Sequence, residues 1–241
     1  QFLGSGDAFG SGGRMQTCIY AHQGQDHFLI DCGSSAMIGI RKYGVDPNLI
    51  SHIFLTHLHG DHFGGIPFFL LDAQMVSKRE APLRIIGPVG TKARILALME
   101  LLFPGSSKVQ QKYTLEIKEL ETGGIYGWSD LQVQSFQAQH PSGAKATALQ
   151  ICWADKKLVY TGDTEWQDSL REAIQGVDLL IAEAYYFEKK IKFHLDYQTL
   201  LEKSSSLGVK RMIITHMSAD MLGNLSKIQC DSANDGQEYQ I

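Results

Sequence analysis

The residues best suited to chemistry lie in Thr56-His57-Leu58-His59-Gly60-Asp61-His62. Three imidazoles and a carboxylate fall within six positions there, directly after the apolar run Ile53-Phe54-Leu55. Neutral imidazole nitrogens and carboxylate oxygens suit Zn²⁺, Mn²⁺ or Fe²⁺. A buried strand that empties into such a loop sets several metal-capable groups at one sheet edge. His57 and His59 alternate, so both can converge on one ion while Leu58 turns back to the core. Asp61 and His62 open the next segment, where Gly64-Gly65 permits a close backbone approach, and they can reach a second ion. The alternative, a solvated loop that happens to be rich in histidine, fits poorly with its place after a buried strand.

Four further candidates also follow apolar runs: Asp31 in Leu29-Ile30-Asp31-Cys32-Gly33, His140, Asp163 in Tyr160-Thr161-Gly162-Asp163-Thr164, and His216 in Ile214-Thr215-His216. Asp31 is expected to orient a ligand histidine or the metal loop by hydrogen bonding; a turn-forming aspartate before Gly33 is the plainer reading. His140 before Pro141 would pass alone for an ordinary loop histidine. The glycine-rich opening Gly4 to Arg14 lacks the following helix and Lys-Ser/Thr of a P-loop. Its Arg14 is expected either to meet a substrate anion or to be solvated. His22, His27 and His52 have no partner in this pattern and read as structural or surface residues.

The elements that must position these groups can be read from periodicity. Thr17 to Ala21 and His27 to Ile30 read as a hairpin around Gln23-Gly24-Gln25-Asp26, and Ser34-Ser35 offer an N-cap to a helix closed by Gly44. Ile50 to Leu55 is the strand that feeds the metal loop. Ile66 to Val76 reads as a mostly buried helix, Leu83 to Ile86 as a strand, and Thr91 to Phe103 as a helix with Ile95, Leu98, Met99 and Leu102 facing the core. Tyr113 to Leu120, Leu131 to Ala138, Ala146 to Trp153 and Leu158 to Thr161 read as strands. Then come a helix from Trp166 to Ile174, the strand Asp178 to Ala182, the helix Tyr197 to Leu207 and the strand Arg211 to Thr215, which ends at His216. Strand and helix periodicity alone gives an α/β or α+β protein. No repeat, linker or low-complexity segment divides the chain, so one domain over residues 1–241 is expected.

Composition narrows the classes. Apolar residues make up 44% and charged residues 20%, the balance of an ordinary globular protein. A net charge of −4 argues against nucleic-acid binding through a broad basic surface. No apolar stretch reaches the length of a membrane-spanning helix. Four scattered cysteines without CxxC spacing favour reduced thiols and a cytoplasmic protein. The chain opens at Gln1, inside a strand, so residues are expected upstream of it.

The His-x-His-x-Asp-His run, with Asp31, His140, Asp163 and His216 following in order, resembles the signature of the metallo-β-lactamase superfamily over nearly the whole chain. Within it, Ile181-Ala182-Glu183-Ala184-Tyr185 and Phe193-His194-Leu195-Asp196 resemble the paired motifs of the ribonuclease Z-like phosphodiesterase branch. Ala182 stands where that branch usually has His, and Leu195 where it usually has Ser. The resemblance implies an α+β protein, a four-layer αββα sandwich of two mixed β-sheets with helices outside. It implies that His57, His59 and His140 hold one divalent ion, that Asp61, His62 and His216 hold another, and that Asp163 bridges them. Zn²⁺ is the first expectation, with Mn²⁺ and Fe²⁺ also admitted. Asp61 would also take a proton from the attacking water, and Glu183 would orient His194 toward the scissile phosphate or the leaving oxygen. Two ions roughly 3.5–4 Å apart can hold a hydroxide and polarise an ester at once.

Branch members that process transfer RNA carry a long gripping arm between the positions of His140 and Asp163; here two strands and a turn fill that interval. The expected activity is therefore a dinuclear metal-dependent phosphodiesterase for small or cyclic substrates. The rivals are a same-fold hydrolase of a thioester, lactone or β-lactam, a tRNA 3′-processing endoribonuclease, and a non-catalytic metal-binding protein. Expected partners are the small phosphodiester and a second copy in a homodimer, with no membrane and no stable nucleic-acid complex.

Overall fold

The computed structural model describes all 241 residues. A first sheet takes its strands in chain order: β1 (Phe2–Gly4), β2 (Cys18–Gln23), β3 (Asp26–Ile30), β4 (His52–Phe54), β5 (Leu83–Pro88) and β6 (Leu115–Leu120). The second sheet holds β7 (Ile125–Trp128), β8 (Leu131–Pro141), β9 (Lys145–Trp153), β10 (Lys156–Tyr160), β11 (Leu179–Glu183), β12 (Met212–Thr215) and β13 (Asp231–Ser232), again side by side in chain order. Seven α-helices complete the fold: α1 (Ala36–Lys42), α2 (Gly60–Phe63), α3 (Ile66–Met75), α4 (Thr91–Leu102), α5 (Asp168–Ile174), α6 (Tyr197–Ser204) and α7 (Ala219–Gly223).

Both sheets are mixed. In the first, β1 to β3 pair antiparallel and β3 to β6 parallel. In the second, β7 to β10 pair antiparallel and β10 to β13 parallel. Strands β8, β10, β11 and β12 therefore run the same way, as do β3 and β4, and their C-terminal ends can gather on one edge.

Alternation along each strand builds four layers. In β4, Phe54 faces the second sheet and Ile53 faces the helices; in β11, Leu179 and Ile181 face the first sheet while Leu180 and Ala182 face outward. Phe28, Ile30, Val133, Ile151, Tyr160 and Ile213 fill the space between sheets. Ile40, Ile66, Phe69 and Ile95 seal the outer side of the first sheet. Leu170, Ile174, Tyr197 and Leu200 seal that of the second. The result is the expected αββα sandwich.

Several details depart from the sequence reading. Helix α3 is not mostly buried: Ile66, Phe69, Leu70 and Ala73 pack inward, but Phe68 and Met75 stand exposed. Ser35 does not cap α1 with its side chain; its hydroxyl accepts the Gln16 N–H instead (2.8 Å). Strands β7 and β13 and helices α2 and α7 were not expected, being only two to five residues long and too short for periodicity to register.

Candidate metal centre

Sharp backbone turns at strand ends deliver the candidate side chains. Asp31 follows β3 with φ 57°, Gly162 follows Thr161 beyond β10 with φ 56°, and His216 follows β12 with φ 56°. Left-handed backbone at a non-glycine residue costs about 1–3 kcal/mol and gathers where the surroundings enforce it. Gly162 has a second reason to be glycine, since a Cβ there would meet the Thr56 side chain at 2.9 Å. Gly33 and Gly65 let the metal loop sit against the turn after β3; a Cβ on Gly65 would lie 2.3 Å from the Gly33 carbonyl oxygen.

Asp31 organises that loop and is wholly buried. Its Oδ1 accepts the Thr56 N–H (2.8 Å), and its Oδ2 accepts the Thr56 hydroxyl (2.8 Å) and the His62 Nδ1–H (2.7 Å). With Nδ1 donating, a neutral His62 must present the lone pair of Nε2 to the site. His140 is fixed likewise, its Nδ1–H donating to the Phe193 carbonyl (2.9 Å), which leaves Nε2 facing His59 Nδ1 at 2.9 Å.

The ligand-capable atoms of the seven predicted ligands form two groups, and those of Asp163, Glu183, His194 and His216 form a third that overlaps the second. Those of His57, His59 and His140 lie within 4.8 Å of one another, as do those of Asp61, His62, Asp163 and His216. Asp163 sits between the groups: one oxygen is 3.9 Å from both His57 Nε2 and His140 Nε2 and 3.5 Å from His216 Nε2, and the other is 3.3 Å from His62 Nε2. Asp61 Oδ2 is 3.2 Å from His216 Nε2 and 3.3 Å from His62 Nε2. All seven predicted ligands are thus brought together from five segments.

The electrostatics fit cations. His57 Nε2 and Asp163 Oδ1 are buried with no hydrogen-bond partner in the protein, a costly arrangement unless something else binds them. Burial alone would make His62 and His216 poor bases, yet Asp163 and Asp61 outweigh it: both imidazoles are raised, His216 to about 9. Burial resists ionisation of Asp61 too, but His62 and His216 hold its carboxyl well below the usual range. The pocket demands positive charge, and divalent cations bound by imidazole and carboxylate would meet that demand.

Glu183 and His194 flank this centre as the sequence implied. The His194 Nδ1 lies 2.9 Å from Glu183 Oε2, and its ring stacks on Tyr185 with centroids 4.8 Å apart. Glu183 Oε1 also accepts the Thr164 and Leu195 N–H groups. Burial lowers the basicity of His194, but the hydrogen bond and charge of Glu183 more than restore it, so its pKa is raised. The Arg14 guanidinium donates to the Ala233 carbonyl and to Asn234 Oδ1 (2.6 Å), which pins the opening loop to the C-terminal segment. Neither alternative read from the sequence, a substrate-facing or a solvated guanidinium, included these protein partners. Tyr185, the stacking partner of His194, enters the sequence reading only as the last residue of the Ile181-to-Tyr185 motif, since a stacking role has no spacing signature.

Fold and site together define a hydrolase of the metallo-β-lactamase superfamily, ribonuclease Z-like in its motifs. Human tRNase Z, short form, superposes with a TM-score of 0.76 at 26% identity, covering 90% of this chain and 92% of that one. A diphosphatase of the PhnP family superposes with a TM-score of 0.79 at 16% identity, a likeness of fold. Ribonuclease Z of Brevibacillus brevis is 27% identical over 244 residues, covering 79% of this chain and 75% of the relative. Within the superfamily the chain belongs to the family described as Anti-Pycsar protein Apyc1, whose sequence model matches residues 1–237.

Proposed function

We propose that the chain is a single-domain dinuclear metal-dependent phosphodiesterase acting on small or cyclic phosphodiesters. The observation that carries this reading is the His194–Glu183 pair beside the two ligand groups, with the His194 side chain 20% exposed at the rim. With Nδ1 held by Glu183, the free Nε2 can give its proton to a departing alkoxide, which a phosphodiester releases and which leaves poorly when unprotonated. Asp61, grouped with His62, Asp163 and His216, would take the proton of the attacking water. His57, His59, His140, Asp61, His62, His216 and Asp163 would hold two divalent ions, Zn²⁺ first. Such ions supply a water acidified to a pKa of about 7 and offset charge on the phosphoryl oxygens.

Size selection rests on the connection from β8 to β9. Pro141 pairs with Lys145, so a three-residue turn joins them, and nothing longer projects over His140 from there. The match to the Haloarcula marismortui ribonuclease Z runs over 294 positions while taking in all of this chain, so that relative carries residues this one lacks. Ribonuclease Z relatives favour the rival reading, a tRNA-processing endoribonuclease. Against it stand the short turn and a net charge of −4, which offer few remote phosphate contacts. The test is turnover of bis(p-nitrophenyl) phosphate and of small cyclic and dinucleotide diesters beside a precursor tRNA. Efficient, site-specific cleavage of the tRNA, or preference for a thioester, lactone or β-lactam, would overturn the proposal.

We also infer a homodimer and a cytoplasmic setting. No helix is long and apolar enough to cross a membrane, and all four cysteines are free. Ile38 of α1 and Met75 of α3, 64% and 65% exposed, line with Met37, Phe68 and Val76 an open groove of about 910 Å³. We take these apolar side chains as the face that a second copy would cover. Met75→Glu should convert a sedimenting dimer to a monomer, and an unchanged sedimentation coefficient would rule that face out.

A further inference from the structure

We propose that Glu165 is a positioning residue which couples the metal ligand His140 to the His194 acid through the backbone of Phe193. The inference rests on the metal-centre reading above.

Phe193 has φ 71°, a left-handed conformation that a phenylalanine keeps only where its surroundings enforce it. Its N–H donates to Glu165 Oε1 (2.8 Å), and its carbonyl accepts the His140 Nδ1–H (2.9 Å). One peptide turn therefore sets the tautomer and direction of a metal ligand while carrying the acid as its next residue. Glu183 grips the far side of the turn through His194 Nδ1 and the Leu195 N–H. Glu165 is the carboxylate on the near side.

Glu165 is itself fixed to the site. It lies two residues beyond Asp163, and Thr164 Oγ1 accepts the Gln139 N–H (2.8 Å) next to His140. The Glu165 N–H reaches the Gln139 carbonyl at 3.4 Å. The segments holding Asp163, His140 and His194 are thus tied in a closed loop, in which Glu165 joins the first to the third directly and Glu183 bridges the same two from outside through the Thr164 and Leu195 N–H groups. Its contribution requires a hydrogen-bond acceptor at Oε1, not a negative charge. Without the acceptor the Phe193 turn can relax toward ordinary backbone, and the His140 ring and the His194 ring lose direction together.

The test compares Glu165→Ala, Glu165→Met and Glu165→Gln with the wild-type chain. Zn²⁺ affinity is read by competition with a chelator, and kcat is measured on an alkyl diester and on bis(p-nitrophenyl) phosphate. Glu165→Met keeps the bulk of the side chain, so it serves where Glu165→Ala does not fold. Loss of a group that orients a metal ligand lowers affinity by about 10–100-fold. The apolar variants should show that loss and should slow the alkyl diester more than the nitrophenyl one, with KM little changed. Glu165→Gln should restore both readouts toward wild type. Zn²⁺ affinity in both apolar variants equal to wild type, or Glu165→Gln as impaired as Glu165→Ala, would overturn the positioning role alone. A wild-type chain that takes up no Zn²⁺ would overturn the metal centre and this role with it.

Discussion

The chain has nine histidines, and the two ends of its strands surround them differently. His57, His59, His62, His140, His194 and His216 crowd the edge where β4, β8 and β12 finish, whereas His22, His27 and His52 sit where β2 finishes and β3 and β4 begin. At the first edge Asp31, Asp61, Asp163 and Glu183 face the rings. At the other end His52 is held by Ser51 Oγ (2.8 Å) and the Tyr126 hydroxyl (3.1 Å), its ring parallel to Phe54. His27 meets Tyr20 and stacks on His22. Burial weakens the basicity of His52, which falls to about 4, and of His27, and it does the same to His57 and His140 at the metal edge, while His62 and His216 there rise. Burial is common to His52, His62 and His216; buried carboxylates are what distinguish a site that gathers positive charge from a packed imidazole.

The largest expected effect is at the bridge. Asp163→Ala removes the one side chain that faces both ligand groups and leaves any cations there without compensation. Most of the bound metal should be lost, as read by elemental analysis of the purified variant, and unchanged content would break the contrast at its centre. Next comes His194→Ala, which should lower kcat by roughly 10²–10⁴-fold on alkyl diesters. The loss should be smaller on bis(p-nitrophenyl) phosphate, whose leaving group needs little protonation, with metal content unchanged. An equal loss on both substrates would remove the acid role.

Asp31→Asn should weaken metal binding by about 10–100-fold, because the Asp31 carboxylate fixes the His62 tautomer. A chelator titration measures it, and wild-type affinity would show that the tautomer is set elsewhere. The smallest effect belongs to the other end of the strands. His52 has a folded pKa of about 4 against about 6.5 unfolded. Between those values the unfolded chain binds more protons, so stability falls as pH drops from about 6.5 toward about 4. His52→Phe should flatten that part of the acid slope in thermal melts while leaving metal content and turnover untouched. A variant that lost metal would mean the two ends are not independent.

The run from His57 to His62 was legible by its own spacing, whereas Asp31, His140, Asp163 and His216 were joined to it by the family resemblance. The loop from His57 to His62 and the stations at Asp31, Asp163 and His216 each sit where a buried strand ends, and a strand end aims a side chain. His140 alone carried little signal, being one imidazole before a proline; its place came from the family resemblance, and the Phe193 carbonyl that orients it belongs to a distant segment. Arg14 stayed open between a substrate-facing and a solvated role because sequence cannot show that Ala233 and Asn234 return beside it. The exposed face of α3 was also hidden, since Ile66-Pro67-Phe68-Phe69-Leu70-Leu71 is apolar all round and gives no indication of which side meets the core.

The central claim, two cation sites joined by Asp163, is tested most directly by the metal-to-chain ratio of the purified wild-type protein. Native mass spectrometry with elemental analysis should give two divalent ions per chain, with phosphodiester turnover lost on chelation and regained on adding metal back. A ratio of one, or turnover that survives complete removal of metal, would contradict it.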